Sequence, residues 1–113
     1  MQKPQIVKIK FLLRSIGMPS HILGYTYTAE AIDYMLAMPN KSLFINDIYH
    51  HIALCYSTSS SCVEVSIRNA IKKTHNSNNI HFNKIFENTS RIGNHIFLTV
   101  LRDIVEANYM QYP

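Results

Sequence analysis

Five consecutive hydroxyl residues, Ser57, Thr58, Ser59, Ser60 and Ser61, separate two stretches of helical apolar spacing, and this interruption restricts the fold more than any other feature of the chain. Before it, Phe44, Ile45, Ile48, Ile52, Cys55 and Tyr56 recur at helical intervals from a start near Ser42, a good cap residue. After it, Val63, Ile67, Ala70 and Ile71 supply a second apolar stripe. Hydroxyl side chains compete for backbone hydrogen bonds, so they favour turns and caps over helix interiors. The expectation is a helix, a small polar turn and a second helix between Phe44 and Thr74. Ser61 and Glu64 stand at capping-box spacing and mark the expected start of the second helix.

The remainder reads as helical too. Gly17, Pro19, Gly24, Pro39 and Gly93 fall between patterned stretches and punctuate helices, not strand alternation. A first helix is expected from Val7 to Ile16, with Val7, Phe11, Leu12 and Ile16 inward and Gly17 as its C-cap. A turn through Pro19 and His21 leads to a central, most buried helix from Tyr25 to Ala37, stopped by Pro39. A polar loop from Asn76 to Asn79, a short piece from Ile80 to Phe86 and an irregular stretch from Asn88 to Gly93 follow. The last helix, about His95 to Ala107, buries Ile96, Phe97, Val100, Leu101, Ile104 and Val105. This is an all-α bundle in one domain spanning residues 1–113. Hydrophobic residues at 47% against 16% charged fit a packed core, since disorder needs the opposite balance.

Charge and chemistry narrow the function classes. Eleven Lys and Arg against seven Asp and Glu leave a net charge of +4, which suits a polyanionic partner without requiring one. No apolar run reaches the length of a membrane span, and Lys3, Lys8 and Lys10 break up the amino end where a signal peptide would be continuously apolar. The chain reads as cytoplasmic, with Cys55 and Cys62 as reduced thiols, Cys55 buried and Cys62 on a helix surface. His50, His51, Cys55, Cys62, His75 and His81 lack the tightly paired ligands of a zinc site, so no metal is expected. No glycine elbow, phosphate-cradling loop or carboxylate cluster accompanies the Ser, His and Asp residues, so the reading is not an enzyme, with no catalytic residue, small-molecule substrate or cofactor.

The second helix carries the chemistry. At about 100° per residue, Ser61, Val65, Arg68, Asn69 and Lys72 lie opposite its apolar stripe. Two amphipathic helices joined by a small turn form a helix-turn-helix, whose second helix enters the major groove of double-stranded DNA. Arg68 can donate a fork of hydrogen bonds to guanine, Asn69 can pair with adenine, Val65 can touch a thymine methyl and Glu64 can accept from cytosine. Lys72, Lys73 and the serine hydroxyls would hold phosphates. A plainer reading of Glu64 and Arg68 is an exposed helical ion pair. A competing function is a protein-interaction module, in which an outer face bearing Val65 binds another regulator and no DNA is read.

"IGMPSHILGYTY" (Ile16 to Tyr27), "IYHHIA" (Ile48 to Ala53) and "VEVSIRNAI" (Val63 to Ile71) resemble, in order, motifs of the carboxy-terminal effector domains of the sporulation response regulator called stage zero sporulation protein A. The resemblance runs from about Leu12 to Val105. It implies a six-helix DNA-binding fold acting on promoter elements, with self-association on tandem sites and RNA polymerase as further candidate partners. Matched residue by residue, it implies that Glu64 and Arg68 face bases, that Ser59, Ser60 and Ser61 approach the phosphate backbone, and that Arg91 and Asn94 lie on a loop that helps hold DNA. The family usually has arginine where this chain has Cys62 and Val65, and histidine where it has Asn69, which implies an altered target sequence. Ile92 and Gly93 replace a proline and a hydroxyl residue. The family's receiver domain would have to precede Leu12, where there is no space for it, so the chain reads as an excised fragment or a free-standing effector.

Overall fold

A computed structural model describes residues 4–38, 44–87, 89 and 91–111. Six helices follow in order: α1 (Pro4–Ser15), α2 (Leu23–Ala37), α3 (Ile45–Cys55), α4 (Ser60–Asn76), α5 (Ile80–Ile85) and α6 (Asn94–Gln111). All regular structure among the described residues is helical, as expected. α2 is the hub, packing on α1, α3, α4 and α6. Its two sides are both buried: Tyr25, Tyr27, Ala29, Ala31, Ile32 and Met35 are all in the core.

Three left-handed residues stop the chain and turn it. α1 ends where Gly17 takes φ +96°, with its N–H on the Arg14 carbonyl and the Met18 N–H on the Leu13 carbonyl. This is a complete Schellman arrangement, and Leu13 and Met18 are both buried as the motif favours. α3 ends on Ser57 at φ 53°, with the Thr58 N–H on the Ala53 carbonyl. After α4, Asn78 takes φ 54°, and Asn79 then caps α5 by accepting from the His81 and Phe82 N–H groups.

Gly24 sets a very close contact between α2 and α4. A Cβ at Gly24 would overlap the Ser66 carbonyl oxygen of α4 and lie 2.6 Å from the Ala70 Cβ, so α2 and α4 meet backbone to backbone here. Only a residue without a side chain permits that approach. Phe82 meets Phe86 at a tilt with centroids 4.9 Å apart, and Phe86 stacks on Phe97 at 5.6 Å, joining α5 and its C-cap to α6.

Several expectations of detail are corrected. α1 begins at Pro4 and buries Ile6, Ile9 and Leu13, with Ile16 buried just beyond its end, whereas Val7 and Phe11 are exposed by 51% and 69%. Its apolar residues nearly encircle it, so α2 selected the phase. α3 starts at Ile45 and buries Ile48, Tyr49, Ile52 and Ala53, leaving Phe44, Cys55 and Tyr56 outside. Cys55 is thus an exposed thiol, and Cys62 is half-buried. The expected cap at Ser42 and the stop at Pro39 lie outside the described residues. α4 is capped by Ser59, not Ser61: the Ser59 hydroxyl accepts from the Cys62 N–H at 3.0 Å. α6 starts at Asn94 and buries Leu98, while Ile96 faces solvent.

Candidate nucleic-acid interface

α3, a four-residue turn and α4 form the two-helix unit anticipated from the serine run. The turn is pinned at both ends. The bond from the Thr58 N–H to the Ala53 carbonyl closes α3, and the Ser59 cap satisfies one of the N–H groups that open α4. Tyr56, at the end of α3, sets its ring edge-on against Tyr27 of α2 at 5.4 Å. A Ser59 hydroxyl that accepts from Cys62 keeps its own proton free to donate, and the unpaired N–H groups of the first turn carry partial positive charge. Anions are favoured at such an end.

The two faces of α4 divide cleanly. Val63, Ile67, Ala70, Ile71 and Thr74 are buried, the last donating its hydroxyl to the Ala70 carbonyl at 2.7 Å. Ser61, Val65, Arg68, Asn69, Lys72 and Lys73 are exposed, and Glu64 is half-buried. Ser59, the cap residue, is exposed and Ser60 is half-buried. The Arg68 Nε lies 3.3 Å from a Glu64 carboxylate oxygen, with the arginine side chain 62% exposed. In water such a helical pair contributes only a few tenths of a kcal/mol, so it holds the guanidinium in place loosely and yields it to a better acceptor.

Arg91 is exposed ahead of α6, apart from α4 in sequence. Asn94 opens α6. Its side chain is buried, and its amide nitrogen donates to the Tyr49 hydroxyl at 2.9 Å and to the Glu64 carbonyl at 3.1 Å. The side chain is turned inward with its two amide hydrogens committed inside the domain.

Tyr49, which the sequence reading passed over, completes this group. Burial holds its phenol above the ordinary tyrosine value. The Asn94 hydrogen bond acts in the opposite direction, the Glu64 carboxylate raises the value further and the Arg68 guanidinium lowers it. The phenol is therefore protonated at neutral pH and close enough to both charges to feel them. Its inward position follows from the phase of Ile45, Ile48, Ile52 and Ala53, which was available in the sequence once Phe44 is set aside.

Elsewhere, the Cys55 thiol lies 3.7 Å from His51 Nε2, and the His51 ring stacks on Tyr34 at 3.9 Å. Among the described residues no three His, Cys, Asp or Glu side chains come together as a metal site would need, and no helix is long and apolar enough to cross a membrane. Compared with known protein families, residues 9–105 match the family described as sporulation initiation factor Spo0A C terminal.

Proposed function

The chain belongs to the Spo0A C-terminal family, the DNA-binding effector domain of a sporulation initiation factor, and on that premise we propose that it is a transcriptional regulator that reads a specific double-stranded DNA element with the outer face of α4. The observation that carries this reading is the division of α4 itself. Its inner face is wholly occupied by packing, while Ser61, Arg68, Asn69 and Lys72 project outward without a task in the fold beyond one loose ion pair.

In this reading Glu64, Val65, Arg68 and Asn69 meet base edges, and Ser59, Ser60, Ser61, Lys72, Lys73 and Arg91 meet phosphates. The protein works in the cytoplasm, where the chromosome of a spore-forming cell is accessible. Pairs of copies on tandem elements and contact with RNA polymerase belong to the same reading. Val65 is a lone apolar residue among polar ones on this face, which disfavours an apolar protein partner there.

The resemblance implies arginine in the family at the positions of Cys62 and Val65 and histidine at that of Asn69, and the preferred element differs accordingly. Selection of bound duplexes from a random pool tests the proposal. A reproducible enriched motif is expected, with affinity falling with salt at a slope of roughly 0.9 per neutralised phosphate. Failure to enrich any motif would sink it and favour the protein-interaction module.

A further inference from the structure

Glu64 is held twice, by its side chain from Arg68 and by its backbone from α6. A helical carbonyl oxygen keeps a lone pair beyond the one its own helix uses, and Asn94 donates to that of Glu64 at 3.1 Å. The same amide nitrogen donates to the Tyr49 hydroxyl of α3 at 2.9 Å. Three helices thus meet at one buried amide, and the α4 residue they meet is the one whose carboxylate contacts Arg68 at 3.3 Å.

We propose that Asn94 and Tyr49 are positioning residues for DNA reading, fixing the first turns of α4 so that Glu64 and Arg68 face the bases at a set height and rotation. This inference rests on the DNA-reading function proposed above. Base recognition requires hydrogen-bond distances of about 2.7–3.2 Å on several groups at once, so it is sensitive to small shifts of the helix that carries them. Phosphate attraction acts at longer range and is far more tolerant of such shifts. Loss of the tie therefore lowers discrimination and leaves general DNA affinity intact. A direct phosphate contact from Asn94 would behave in the opposite way.

The test compares Asn94→Ala, Tyr49→Phe and the double variant with the unaltered protein. Each is measured on the duplex that the unaltered protein enriches and on a scrambled duplex of equal length, across a salt series. Each single variant should weaken binding to the enriched duplex about five- to tenfold, the scale of one hydrogen bond, while scrambled-duplex affinity and salt slope stay unchanged. The double variant should lose little more than either single one, because the two residues act as a unit.

Equal losses on both duplexes with a reduced salt slope would overturn the proposal in favour of a phosphate contact. Unchanged affinity for the enriched duplex would overturn it outright. If Asn94→Ala lacks the native helical circular dichroism, Tyr49→Phe decides, since it keeps the ring and removes one oxygen. An unaltered protein that enriches no duplex removes the proposed function, and this inference with it, before any variant is examined.

Discussion

Ile67 and Arg68 are neighbours in the chain and live under opposite constraints, as do the two faces of α4 to which they belong. Ile67 is fully enclosed between helices, while the Arg68 side chain is 62% exposed and held by one ion pair. The inner face is specified by shape: its residues must fill a volume bounded by α2, α3 and α6. The outer face is specified by nothing in the fold. This difference leaves the residue types of the outer face free to vary while the architecture is kept. It also separates two kinds of failure, loss of the domain and loss of its selectivity.

The division is tested most severely by Ile67→Ala, which should destabilise the domain by about 2–5 kcal/mol through the cavity it leaves. Chemical denaturation measures it; a loss under 1 kcal/mol would mean that the inner face is loosely packed. Gly24→Ala should cost about 1–3 kcal/mol, because the new methyl meets the α4 backbone and cannot be relieved by a side-chain rotation. Its DNA affinity should fall as well, since α4 must move away.

Arg68→Ala inverts the pattern: about 1–3 kcal/mol lost from binding to the enriched duplex, with the melting transition nearly unmoved. A large stability loss, or an unchanged affinity, would break the distinction between the faces. The smallest effect is at the turn between α3 and α4. Ser57→Gly relieves a left-handed serine and should stabilise the domain by about 1 kcal/mol, as read from the denaturation midpoint, leaving DNA selectivity alone.

The faces of α4 were legible in the sequence because inner and outer residues differ in polarity, so a period near 3.6 residues sorts them without help. α1 lacks that contrast. Ile6, Val7, Ile9, Phe11, Leu12, Leu13 and Ile16 leave several phases nearly equal, and only packing on α2 decides that Phe11 is outside. The cap of α4 was similarly ambiguous, since five adjacent hydroxyls are locally equivalent and Ser59 was picked out by where α3 ends. Asn94 was out of reach for a different reason. Its partners stand 45 and 30 positions earlier in the chain, and no local pattern reports a hydrogen bond formed across three helices.

Gly24 bears on how accurately α4 can be aimed. With a helix radius of about 5–6 Å, a roll of about 10° moves a side-chain tip on the far side by about 1 Å, enough to break a two-pronged hydrogen bond to a base. Direct contact between the α2 and α4 backbones leaves no flexible side chain in between to take up such a roll. The angular tolerance of α4 is thus set by a missing methyl group on its buried side, and new outer-face residues inherit that aim without having to re-establish it.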